Sequence, residues 1–212
     1  MRSWRALSVL LGLFLLLFTA APIATAAPPA RLTECSTALF HGDTRLGPQS
    51  LPVLGPVGRQ LHGYHRTGHV AAQQFLATFY DSAASSWRFP PQDGYVLDPN
   101  GNPIRWNQLL RIGTRIDRYG SEFGSFLAPE GLPYANRSIP PQNLVGNPAA
   151  GCNYRDYLVT RDFTVRAGPI APWFLQPGRG LQYQLASALI PGAPTPINVK
   201  WLVDNGYLAR LN

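Results

Sequence analysis

The sequence predicts an α+β protein: one strand-dominated domain with a small mixed or antiparallel sheet, short helices and an extended N-terminal arm. Three observations carry that expectation. Short alternating segments recur through the second half of the chain, and apolar runs at helical spacing lie near its two ends. Proline and glycine, 21 and 20 of 212 residues, break up everything between. Strands that do not alternate regularly with helices argue against a βαβ architecture.

Residues 1–26 read as a secretory signal peptide. Arg2 and Arg5 precede the apolar run Val9 to Phe18, and Ala24-Thr25-Ala26 supplies small residues for cleavage. That run is short for a bilayer span and no later stretch is longer, so an exported protein without stable membrane insertion is expected. Residues 27–85 would form the arm and one short helix. Ala27 to Arg66 has no sustained period, whereas Val70 to Tyr80 spaces its apolar residues helically. Residues 86–212 would form the main domain. Gly94 to Asp98 alternates, and Pro99-Asn100-Gly101-Asn102 supplies Asn-Gly turn chemistry, which predicts a hairpin. Strands are expected at Thr114–Tyr119, Tyr154–Thr160, Phe163–Arg166 and Leu181–Leu185. Phe123-Gly124-Ser125-Phe126 reads as a turn, and Ile197 to Asn205 as a helix closed by Gly206.

The formal charge is +7, and every basic residue but Lys200 is arginine. No basic run is dense enough for a nucleic-acid groove. A small anionic ligand fits better, because the planar guanidinium fork matches phosphate. Cys35 and Cys152 are expected to form a disulfide in an oxidising compartment. Asn136-Arg137-Ser138 is a glycosylation sequon. His62, His65 and His69 are interrupted by Gly63 and Gly68, with no carboxylate close by in sequence. Asp98, Asn100 and Asn102 lack the later ligands of a calcium loop, so no metal is expected. Glutamate occurs only at Glu34, Glu122 and Glu130, which leaves a two-acid glycosidase hard to build.

What remains is a set of arginines, aromatics and glycines. Asp117-Arg118-Tyr119-Gly120 ends a strand and Arg137 follows, so two guanidiniums can reach a diphosphate. Tyr119 and Phe126 can sandwich a planar ring. The competing structural reading pairs Arg118 with a carboxylate and puts the aromatics in the core. Further on, the Pro/Gly-rich loop Ala171 to Gly180 runs into Leu181-Gln182-Tyr183, a strand that would hold Gln182 at a fixed depth.

At these residues the chain resembles the tuberculosis necrotizing toxin domain family. Asp117-Arg118-Tyr119-Gly120, Arg137-Ser138-Ile139-Pro140-Pro141, Gly168 to Phe174 and Gln176 to Tyr183 carry the likeness in order. Trp87 to Gly94 is similar to that domain's opening, and Arg45-Leu46-Gly47-Pro48 and Gly63-Tyr64-His65-Arg66 to the secreted fungal members. The resemblance implies a secreted or cell-surface NAD+ glycohydrolase that yields ADP-ribose and nicotinamide, with NAD+ as substrate and no further cofactor. By the same resemblance Arg118 and Gln182 are catalytic, and Tyr119, Ser125, Phe126 and Arg137 contact substrate. Arg155 stands where toxin members often carry histidine. Tyr207 and Leu208 occupy the region where some fungal members bind calcium, so no calcium is expected. Use of NADP+ and a homodimer stay open. The rival functions are an ADP-ribosyltransferase and an inactive secreted binding module.

Overall fold

The computed structural model describes residues 32–212, so the expected signal peptide lies outside the described residues. Helix α1 (Gly55–Gln60) starts with Pro56 in its first turn, where a missing N–H costs nothing. It buries Val57 and Gln60, so the segment expected to be an arm contributes to the core. Helix α2 (Ala72–Phe79) falls within the expected Val70–Tyr80 and buries Phe75 completely. That burial contributes about 2 kcal/mol. A two-stranded ribbon follows, β1 (Tyr80–Asp81) and β2 (Ser86–Trp87). Asp98 closes the expected Asn-Gly turn by accepting from the Asn100 and Asn102 amides. Around it only an isolated Leu97–Pro103 bridge forms.

Seven further strands make one sheet. They are β3 (Trp106–Leu110), β4 (Arg115–Tyr119), β5 (Phe126–Pro129), β6 (Tyr154–Val159), β7 (Phe163–Pro169), β8 (Leu181–Gln184) and β9 (Leu208–Arg210). Their order is β3-β7-β8-β5-β4-β6-β9, and every pairing is antiparallel. Helix α3 (Val199–Asp204) precedes β9. It is capped at its N-terminus by Asn198, whose Oδ1 accepts from Trp201 N, and Gly206 follows in the left-handed region.

Alternation along β4 explains why both sheet faces are covered. Ile116 points into the main core with Tyr157, Val165, Tyr183, Val199 and Leu202. Tyr119 points the other way, into a second cluster with Val57, Leu61, Tyr134, Leu144 and the two cysteines. Cys35 and Cys152 form the expected disulfide there, joining residues 117 apart in sequence. A third cluster gathers Leu46, Phe75 and Phe174, with Trp173 packed against it.

Candidate active site

Residues paired across antiparallel strands project from the same face, and so do residues two apart on one strand. Asp117 pairs with Ala128, Phe126 with Gln184, and Gln182 lies two residues before Gln184. Asp117, Tyr119, Phe126, Ala128 and Gln182 therefore share one face of β4, β5 and β8. A cavity of about 430 Å³ lies over that face. Phe89, Pro90, Asp93 and Gly94 line it from the N-terminal half, and Arg137, Ser138, Ile139 and Asn143 from the connection after β5. Five of the six expected site residues, Arg118, Tyr119, Phe126, Arg137 and Gln182, line this one cavity. Ser125 is not among its lining residues; its carbonyl accepts from Leu185 N.

Gln182 is buried, and its Nε2 donates to the Asp93 carbonyl at 3.0 Å. One amide end is thereby fixed. Directly across the ladder stands Gly168. A Cβ at Gly168 would meet the Ile104 carbonyl at 2.4 Å and the Tyr95 ring at 2.7 Å, so a hydrogen there lets both pack against the strand.

Arg118 alternates onto the opposite face of β4 and reaches the cavity at the strand end. Its Nη1 donates to the Phe126 carbonyl at 2.6 Å and its Nε to the Gly120 carbonyl at 3.4 Å. The guanidinium fits because Gly120 and Gly124 carry no side chain. A Cβ on Gly124 would lie 2.3 Å from Nη2. Among the described residues no carboxylate forms an ion pair with Arg118. Burial pushes its pKa down, and the neighbouring Arg155 adds to that. Arg155 stands opposite Arg118 across the β4–β6 ladder and donates from Nε to the same Gly120 carbonyl at 3.0 Å.

Arg137 and Tyr119 take different places from those the sequence suggested. Arg137 Nη1 and Nη2 donate to the two oxygens of fully buried Asp117, at 2.6 and 2.9 Å. Its remaining donors go to the Leu132 carbonyl and to Oε1 of Gln60 from α1. The fork expected to grip a diphosphate is filled by protein. Tyr119 is 3% exposed, with its ring against Tyr134 and Tyr154 and its hydroxyl donating to Gln60 Oε1. Its ring faces are not open for a sandwich. The open aromatics of the cavity are Phe126 and Phe89, 37% and 61% exposed.

The glycines of the loop before β8 also serve packing. Cβ atoms at Gly178 and Gly180 would strike the backbone of Ala171 and of Asn136, at 2.7 and 2.6 Å. The half-buried Asn136 donates its side-chain nitrogen to the Gly178 carbonyl at 2.7 Å. The atom a glycan would occupy is thus engaged inside the fold. The His65 and His69 rings lie 3.9 Å apart between centroids with their planes tilted by 41°, and His65's carbonyl accepts from Gln176.

Sequence reasoning missed Asp93, Phe89 and Asn143 as cavity residues. The Trp87 to Gly94 motif was in view, yet nothing local ties it to a strand about 90 residues later. Comparison with known proteins decides the family. The chain is 42% identical over 190 residues to the conidial surface nicotinamide adenine dinucleotide glycohydrolase of Aspergillus fumigatus, covering 87% of this chain and 76% of that protein. The chain belongs to the tuberculosis necrotizing toxin family. That family's sequence profile matches residues 109–211. The solved tuberculosis necrotizing toxin, in complex with its immunity factor, has the same fold at a TM-score of 0.50 and 17% identity, over 87% of this chain and 88% of the toxin. The family profile begins at the end of β3, so Phe89, Pro90, Asp93 and Gly94 reach the cavity from outside it.

Proposed function

We propose that this protein is a secreted or cell-surface NAD+ glycohydrolase that breaks the nicotinamide–ribose bond and passes the ribosyl group to water. The observation that carries the reading is the convergence of Gln182 and Arg118 on one cavity, in a chain 42% identical to a conidial surface NAD glycohydrolase. The chemistry suits the residues. Nicotinamide departs from a pyridinium as a neutral molecule, so its departure needs no proton donor. The site must bind the diphosphate, enclose the ribose and favour a cationic, oxocarbenium-like transition state. Arg118, which has no carboxylate partner among the described residues, is the anchor for the diphosphate. Gln182, held at Nε2 by Asp93, presents its amide to the ribose hydroxyls or the attacking water. Phe126 and Phe89 offer the open rings for a flat heterocycle. NAD+ is substrate and no cofactor takes part.

Purified mature protein is incubated with NAD+ while free nicotinamide and protein-bound label are followed, with NADP+ in parallel. Nicotinamide release without labelling supports the hydrolase. Label on protein would replace it with the transferase reading, and no release would leave a binding module.

A further inference from the structure

We propose that Asp93 is a further catalytic residue of this cavity, its carboxylate countering the positive charge at the reacting ribose and accepting the proton of the attacking water. The inference rests on the NAD+ glycohydrolase reading. Two acidic residues line the cavity, and they differ in kind. Asp117 is fully buried and spent on Arg137, Tyr154 and the Gly131 amide. Asp93 keeps 48% of its side chain exposed, and among the described residues its one ion-pair contact, with Arg105, is 3.7 Å long. Its charge is available to a ligand.

The backbone ties Asp93 to the residue expected to act at the scissile bond. Asp93's own carbonyl accepts from Gln182 Nε2, so the carboxylate and the glutamine amide are tied through one residue. Gln92, Asp93 and Gly94 have φ of 51°, 58° and 76°, a left-handed run that side-chain-bearing residues rarely adopt. Such strain persists only where surrounding structure imposes it. Here the imposing bonds run from Ala171 N to the Gly94 carbonyl and from Val96 N to the Pro169 carbonyl, both 2.9 Å. The turn is pinned to the end of β7 with Asp93 at the cavity.

The reaction then balances. The C1′–N bond breaks and its electron pair passes to the ring nitrogen, discharging the pyridinium. Water oxygen forms the new C1′–O bond, and one of its protons moves to Asp93 and on to solvent. The charged or titratable groups near Asp93 are Arg105 and Tyr95, with Arg118 and the Arg137–Asp117 pair in the same cavity; Arg166 acts on Tyr95 as well. Burial pushes Tyr95 up to about 12, so its hydroxyl stays neutral near neutral pH.

Asp93→Asn keeps shape and tolerates the same φ while removing the charge. With thermal stability matched to wild type, kcat is expected to fall by about 100-fold, more than KM changes, and the acidic limb of the pH–rate profile to vanish. Binding gives a second readout. NAD+ carries a charged nicotinamide ring and NADH a neutral one, so wild type should favour NAD+ and the variant should lose that preference. Turnover within about threefold of wild type, an unchanged acidic limb and an unchanged NAD+/NADH affinity ratio would overturn the proposal. If wild type releases no nicotinamide, the glycohydrolase reading fails by itself, and the affinity ratio alone decides whether Asp93 forms a cation-recognising subsite.

Discussion

An alanine at position 124 would put a methyl carbon 2.3 Å from Nη2 and 2.7 Å from Nη1 of Arg118, where ordinary contact begins at 3.4 Å. The backbone of Gly124 lies outside the left-handed region, so alanine adopts it without strain, and the obstructing atoms are the far end of a flexible side chain. The guanidinium yields by about 1 Å and loses its bond to the Phe126 carbonyl. A displacement of that size in a positioning residue costs about 100-fold in rate, or about 2.7 kcal/mol of transition-state stabilisation. Stability moves little and rises if anything, because alanine lowers the entropy of the unfolded chain by about 0.4–1 kcal/mol. Nicotinamide release and thermal melting are measured together on Gly124→Ala. Gly151→Ala serves as control, since a methyl there meets nothing within 4 Å. Activity within a few-fold of wild type, or an activity loss that tracks a fall in melting temperature, would refute the idea that Gly124 exists to house Arg118.

Gln182→Ala should fold normally and lose about 100-fold or more in turnover; near-normal nicotinamide release would remove Gln182 from the chemistry at the ribose. Arg137→Ala, by contrast, should act on stability, because it strands the Asp117 charge in the interior at a cost of about 3–5 kcal/mol. A melting temperature unchanged beside a raised KM would return Arg137 to the role of phosphate anchor. Replacing both Cys35 and Cys152 with serine opens a loop of 117 residues and should cost about 4–5 kcal/mol, read as a fall in melting temperature while cool-temperature activity persists. Glu122 is held below its ordinary value of 4.5, first by hydrogen bonds from Arg210, against a smaller opposing effect of burial, and with help from Tyr157. A depressed folded pKa stabilises fully above the unfolded value and fades as pH falls through the folded one. Melting temperature should therefore drop below about pH 4.5 in wild type and less steeply in Glu122→Gln; parallel curves would dismiss this linkage.

Strands β4, β6, β7 and β8 and helices α2 and α3 were legible because each carries its own period or cap. Helix α1 was not, since six residues beginning Gly-Pro are too few to show one. Strand β5 was missed, with a turn expected up to Phe126, because its four residues follow Gly-Ser and end in proline. Strand β3 lies at the sheet edge with Trp106, Asn107 and Leu109 exposed, so no buried face imposed alternation on it. In the site, the motifs around Arg118 and Gln182 pointed to two residues that the fold brings to one cavity. What each arginine touches depended on contacts across the fold. Arg137 meets Asp117 from 20 residues away and Gln60 from 77, and neither separation leaves a local signal.

The loop that houses Arg118 is tied down by elements that follow every cavity strand in the sequence. Val199 N donates to the Gly124 carbonyl and Lys200 N to the Glu122 carbonyl, while Arg210 from β9 clamps the Glu122 carboxylate at 2.5 and 2.7 Å. A nascent chain that has not yet released residues 199–210 lacks all three ties, however well the earlier strands have paired. The loop around Arg118 is therefore seated only after residues 199–210 have emerged, and the cavity is not complete on a nascent chain that still lacks them.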